Sequence, residues 1–160
     1  MTTPERTFTV RVVSDRRRRV LVPLPFEPDD AWGHKHQHRV HGTVDGMGVR
    51  AVVERLDDGH GHGIVLGAAW RRDCGIAAGD EVAVVLLPEG PQRDDLAPDV
   101  VAALEASPDA GTFFDSLAQF YRRAYLRWID ATKRRPELRA ERIAEMVRLL
   151  TAGHKERPRP

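Results

Sequence analysis

The sequence predicts an α+β protein, with six β-strands forming a small closed or split barrel and a helical region after them. Three observations carry this. Alternating apolar runs fill residues 7–88 with no long helix between them, which excludes βαβ units. Asp45-Gly46 and Asp58-Gly59 are tight-turn dipeptides that join three of these runs as hairpins. Beyond Pro88-Glu-Gly-Pro91 the apolar period changes from two to 3.6 residues, so the chain divides into a β domain over 1–90 and a helical domain over 91–160.

Taken in order, Phe8–Val13 alternates as a strand, Ser14-Asp15 begins a turn, and Val20–Pro23 returns as a second strand closed by proline. The loop between them carries Arg16, Arg17, Arg18 and Arg19, a solvated hairpin tip or a set of phosphate contacts. Pro25–Gly33 reads as a connector with one helical turn whose Trp32 indole packs over a barrel end. The run His34-Lys-His-Gln-His38 then places three imidazoles on one strand face, with His41, His60 and His62 following. Imidazoles two residues apart can share an ion, but the thiolates and helical or knuckle spacing of structural zinc sites are missing, so no metal is expected.

The two turns set the register. Centring one on Asp45-Gly46 pairs Val44 with Met47, Gly42 with Val49 and Val40 with Ala51 on a buried face. Thr43–Gly48, His41–Arg50 and Arg39–Val52 fall on the opposite, more polar face. Centring the next on Asp58-Gly59 sets Val53 beside Ile64 and Ala51 beside Leu66, so that Val40, Ala51 and Leu66 meet in the core. Counting outward brings His36, Arg55 and His62 into one row at the barrel mouth. Two imidazoles and a guanidinium there offer charge-assisted donors to a phosphate or carboxylate.

Trp70–Gly79 reads as a short helix or turn before the sixth strand, Glu81–Leu87. In the helical domain, Pro98, Pro108 and Pro136 each open a helix, as expected for proline in a first turn. Asp115 or Ser116 is the expected cap of a further helix whose core stripe is Leu117, Phe120, Tyr121, Ala124, Tyr125, Trp128 and Ile129. In the last helix Ile143, Met146, Val147 and Leu150 face inward and Gly153 ends it, while Arg135, Arg139 and Arg142 interleave with Glu137, Glu141 and Glu145 as a solvated, ion-paired surface.

Composition narrows the function. The formal charge of +1 argues against nucleic-acid binding through bulk charge; residues 1–95 hold 13 Lys/Arg against 15 Asp/Glu, and residues 96–160 hold 12 against 9. No window approaches the roughly 20 apolar residues of a membrane span, and the opening Met-Thr-Thr-Pro-Glu-Arg lacks the order of a secretory signal. With a lone cysteine, Cys74, the expectation is a cytoplasmic protein without membrane partners. No G-x-S-x-G, phosphate loop or H-E-x-x-H occurs, and none of the three serines has an evident base, so neither catalytic residues nor a cofactor are assigned and an enzyme is disfavoured.

Two stretches carry a family resemblance. Arg39-Val-His-Gly-Thr-Val-Asp-Gly46 followed by Gly75-Ile-Ala-Ala-Gly-Asp-Glu-Val82 resembles the bacterial barrel domain of unknown function found at the start of YdeI/OmpD-associated proteins. The second of these also resembles the segment before the last strand of AbrB/MazE-type barrels. Ala97–Leu104, Phe113-Phe114, Leu117, Tyr121–Tyr125, Trp128-Ile129, Lys133 and Arg139–Ile143 resemble the YdeI/OmpD-associated, or bacteriocin-protection, domain. The resemblance implies a double-split β-barrel followed by a small helical domain, and it brings no catalytic residues. Leu138 stands where that pattern has threonine.

The leading expectation is a non-enzymatic binding or stress-accessory protein, taking a small anion at His36, Arg55 and His62 or a protein partner. The second is a DNA-binding regulator of AbrB/MazE type, with Arg16 to Arg19 and Arg39 on phosphates. A hydrolase or transferase at the barrel mouth ranks third, because no nucleophile and base stand together.

Overall fold

The computed structural model describes residues 4–57 and 61–160. The chain forms two compact units, one comprising the residues up to His34 together with His38–Pro88, the other Lys35–Gln37 together with Glu89–Pro160.

In the first unit the described strands are β1 (Arg6–Arg11), β2 (Val13–Ser14), β3 (Val20–Pro23), β4 (Arg39–Val44), β5 (Met47–Val52), β6 (Glu54–Arg55), β7 (His62–Leu66) and β8 (Glu81–Pro88). They form two four-stranded sheets, ordered β1-β8-β4-β5 and β2-β3-β7-β6. Turn chemistry sets the β4–β5 register, and all six pairs follow from Asp45-Gly46: Val44–Met47, Thr43–Gly48, Gly42–Val49, His41–Arg50, Val40–Ala51 and Arg39–Val52. Asp45 and Gly46 adopt φ of 49° and 79°, the left-handed geometry that this turn requires.

The six predicted runs are present, but they do not close into a barrel. Two of them change sheets partway. β1 gives way to β2 at Val12 and β5 to β6 at Val53, so six runs become eight segments. Each changeover residue stays bonded beside the sheet it leaves: ahead of β8, Val12 N–H donates to Asp80 O at 2.8 Å and Val12 O accepts from Gly79 N–H at 2.7 Å, and ahead of β4, Val53 N–H donates to His38 O at 2.8 Å. Glu54–Gly63 and Arg55–His62 keep the register expected from Asp58-Gly59, a turn that lies outside the described residues. The expected Ala51–Leu66 rung is absent from the described ladders, because β5 stays with β4 while β7 goes with β3. Val40 and Leu66 nevertheless share one core, with Ala51 packed against it.

Alternation buries one face of β8, placing Val82, Val84 and Leu86 among Val12, Val22, Val40, Val44 and Ile64. The connector contains α1 (Pro28–Trp32), and Trp32 packs edge-on to Phe26 at 5.1 Å beside that core. The histidine run is not a strand: β4 begins only at Arg39, because His34 and His38 fold back onto Asp29. α2 (Ala68–Cys74) follows β7 and ends on Gly75, whose φ of 71° suits the left-handed position after a helix.

The second unit has a 3-10 turn (Arg93–Asp95) and α3 (Pro98–Ala106), α4 (Pro108–Ser116), α5 (Gln119–Asp130) and α6 (Pro136–Thr151). Its core gathers Leu104, Ala110, Phe114, Ile129 and Met146, all fully buried. Two expectations change. α4 runs through Ser116, so Asp115 and Ser116 cap nothing, and α5 starts after Ala118 without a side-chain cap. With that start the inward positions are Arg122, Tyr125 and Ile129, at i, i+3 and i+7, while Phe120 is 63% exposed. Of the arginines expected on a solvated, ion-paired surface, Arg135 is exposed, whereas Arg139 and Arg142 are half-buried. Arg139 pairs with Asp99 and Asp130, and Arg142 donates to Trp128 O at 2.6 Å.

Candidate functional site

Where β5 and β7 part, the first unit opens. A cavity of about 410 Å³ lies there, lined by His41, Gly48, Arg50, Val65, Leu66 and Trp70 among others. His41 and Arg50 face each other across the β4–β5 pair, a placement the hairpin register dictates. Trp70 comes from α2, which is fastened to β7 by Arg71 Nε donating to Leu66 O at 3.1 Å. The indole Nε1 donates to Gly48 O at 2.8 Å, satisfying an outward carbonyl of the edge strand β5. The cavity therefore combines an aromatic ring, an imidazole and a guanidinium, donors suited to a flat organic anion.

The row predicted at the barrel mouth is only partly assembled. Arg55 and His62 are partners across β6 and β7, with Arg55 exposed. His62 Nδ1 lies 3.4 Å from Glu27 Oε2, a carboxylate that competes with any anion there. His36 sits in the Lys35–Gln37 segment of the second unit, where its backbone N–H donates to Ser116 Oγ at 3.1 Å.

His38 and His34 instead clasp one carboxylate, with Nε2 of His38 2.5 Å from Asp29 Oδ1 and Nδ1 of His34 2.8 Å from Oδ2. Hydrogen bonding to His38 first, then to His34, lowers the Asp29 pKa to about 2. Among the described residues no group of three histidine, cysteine or acidic side chains is placed to hold a metal ion.

In the arginine loop, Asp15 Oδ1 accepts from the backbone N–H groups of Arg17 and Arg19, and Arg18 adopts a φ of 63°. Arg19 pairs with Asp15 at 2.8 Å and Glu54 at 3.0 Å, and lies 3.8 Å from Asp57. Arg16, Arg17 and Arg18 are exposed, and Arg39 starts β4 half-buried.

A second polar cluster, in the second unit, had no sequence signal. Lys35 Nζ donates to Gln92 Oε1 at 3.0 Å, and Arg93 grips Asp115 through Nε at 2.9 Å and Nη2 at 3.2 Å. Burial lowers the Lys35 pKa; Asp115 opposes that shift while Arg122 and Arg93 add to it. The fully buried Arg122 donates to the carbonyls of Pro91, at 2.8 Å, and Glu89.

Sheets linked by strands that change sides, followed by a four-helix unit, define a two-unit α+β protein. Residues 95–153 match the family described as Bacteriocin-protection, YdeI or OmpD-Associated, and residues 8–86 match a Domain of unknown function (DUF1905). The helical unit therefore belongs to the YdeI/OmpD-associated family, preceded by that domain of unknown function. No curated protein matches the chain.

Proposed function

We propose that this chain is a non-enzymatic binding protein of the cytoplasm, an accessory in stress protection, that holds a small organic anion between its two sheets. In this reading the sheets are the halves of a double-split barrel of the AbrB/MazE kind, and the ligand occupies the split. The observation that carries it is the cavity of about 410 Å³ where His41, Arg50 and Trp70 converge. A guanidinium and an imidazole suit a carboxylate, and the indole suits the flat apolar body attached to it.

Thermal-shift and calorimetric titration with benzoate, nicotinate and inorganic phosphate test this on the wild type, Arg50→Ala and Trp70→Leu. The expected result is that an aromatic carboxylate raises the wild-type melting temperature and that both substitutions remove the effect. Arg55→Ala and His62→Ala act as controls, and loss of binding in those two alone moves the site to the predicted mouth. If no anion shifts the wild type, the proposal fails.

The exposed tip of Arg16, Arg17 and Arg18 favours a second reading, a DNA-binding regulator. Its weight is reduced by the carboxylates of Asp15, Glu54 and Asp57 around Arg19. Retardation of random duplex that weakens steeply with salt supports it, and no retardation at low salt removes it.

A further inference from the structure

The last helix ends at Thr151, and the segment after it folds back along α5. Gly153, at a φ of 84°, makes the reversal, and His154 N–H donates to Leu149 O at 2.9 Å. From there three anchors join the segment to one face of α5. The Tyr125 hydroxyl donates to His154 O at 2.9 Å. Lys155 Nζ lies 5.0 Å from the Tyr121 ring centroid, and the Arg157 guanidinium carbon lies 4.5 Å from that of Trp128. Arg142 approaches the same indole at 5.1 Å.

Tyr121, Tyr125 and Trp128 stand at i, i+4 and i+7 of α5, so they form one aromatic strip. Phe120 extends it, edge-on to Tyr121 at 5.2 Å and 63% exposed. Lys155 and Arg157 flank Glu156, and a bend at Lys155 and Glu156 sends the two cations to opposite sides of Tyr125, one to Tyr121 and the other to Trp128. Pro158 and Pro160 restrain the residues before them to extended geometry. Residues 152–160 are exposed, so backbone burial contributes little to holding the segment down. The contacts that remain are two cations on aromatic faces and one hydroxyl on a carbonyl. Such contacts are individually modest, which makes the segment displaceable.

We propose that the Tyr121 and Trp128 rings, with the Tyr125 hydroxyl between them, form a docking site for a basic segment of a partner protein, with Lys or Arg two residues apart followed by proline. In this chain residues 154–160 occupy the strip in cis and act as its competitive strap. The site selects cations because the Tyr121 and Trp128 rings each offer a negative face, and the Tyr125 hydroxyl fixes the segment's position by reaching the backbone carbonyl just before the first cation.

The test uses the full chain, as wild type and as the double variant Lys155→Ala/Arg157→Ala, which leaves the strip intact and weakens the strap. The probe is a synthetic heptapeptide of sequence His-Lys-Glu-Arg-Pro-Arg-Pro, followed by calorimetry and by the indole resonance of Trp128. The double variant is expected to bind the peptide at least about tenfold more tightly than the wild type, whose tethered strap competes at an effective concentration on the order of millimolar. In the double-variant background, Trp128→Phe keeps a π face and retains binding, while Trp128→Leu keeps apolar bulk and loses it, both with unchanged far-ultraviolet dichroism. Equal affinity for wild type and double variant, no affinity for either, or binding indifferent to Trp128→Leu overturns the proposal. A wild-type chain that exchanges this segment between two copies and runs as a dimer also overturns it, because the occupant is then a second copy.

Discussion

Arg139 and Asp99, forty residues apart, meet as a forked ion pair, with Nε donating to Oδ2 at 2.6 Å and Nη2 to Oδ1 at 3.0 Å. The third guanidinium nitrogen, Nη1, reaches Asp130 Oδ1 at 3.1 Å, so one side chain on α6 ties the first turn of α3 to the end of α5. Asp99 is about half exposed, and water screens the pair. Arg139→Ala is therefore expected to cost about 1 kcal/mol of unfolding free energy. Arg139→Lys should recover less than half of that, because an ammonium cannot fork. Urea unfolding of the full chain measures both, and midpoints equal to wild type would reject the tie.

Asp29 gives a pH dependence with a definite sign. Its carboxyl pKa is lowered from 3.8 to about 2 in the folded chain, so on acidification the unfolded chain takes up the proton first. The stability contributed by the two histidine clasps is present above pH 4 and lost as the pH falls from about 4 to 2. The side chain is 39% exposed, which limits the contribution to about 1 kcal/mol after screening. Asp29→Asn should flatten that part of the acid limb in a denaturation series. A variant that tracks wild type between pH 5 and 2 contradicts the assignment.

Two glycines on neighbouring strands make a matched pair. A β-carbon on Gly42 would collide with the backbone carbonyl of Val85, whereas one on Gly48 would meet nothing within 4 Å. Gly42→Ala is expected to cost more than about 2 kcal/mol by forcing β4 and β8 apart, and Gly48→Ala to change stability by less than about 0.5 kcal/mol. Thermal melts of the two variants decide it, since similar losses would mean that the strands separate without resistance.

In the second unit, the buried Arg122 supplies donors to the carbonyls of Glu89 and Pro91, on either side of Gly90. Gly90 has a φ of 78°, and a β-carbon there would crowd Gln119 and the Arg122 guanidinium. Arg122→Met removes both donors from covered carbonyls and should cost about 2–4 kcal/mol; Gly90→Ala should cost more than about 1 kcal/mol by displacing the same group. Equilibrium unfolding measures both. A neutral Arg122→Met would show that those carbonyls find other donors.

Much of the first unit is legible because turn chemistry is local. Asp45-Gly46 alone specifies six β4–β5 pairs, and the alternation of Val82, Val84 and Leu86 marks a strand with one buried face. The changeovers at Val12 and Val53 are not legible, because alternation continues through a bend that only long-range partners reveal. The candidate cavity shares that difficulty. His41 opposite Arg50 follows from the hairpin, but nothing local says that Trp70 bonds to Gly48 across the gap. In the helical unit the period is legible and most of the stripe lies in or against the core, Leu117, Tyr121, Tyr125, Trp128 and Ile129 among it, while Phe120 does not. An arginine in the position of a core residue reads as surface until its backbone acceptors are known, so the pattern alone hides Arg122 and turns Phe120 inward.

Val12 and Val53 also govern how the first unit comes apart. Each is the single residue through which a run leaves one sheet and enters the other, so an outer strand of either sheet is continuous with an outer strand of the other. Neither sheet can shed that strand without pulling on its counterpart. Amide exchange in β1, β2, β5 and β6 should accordingly slow and quicken together across a denaturant series, as one opening event rather than two.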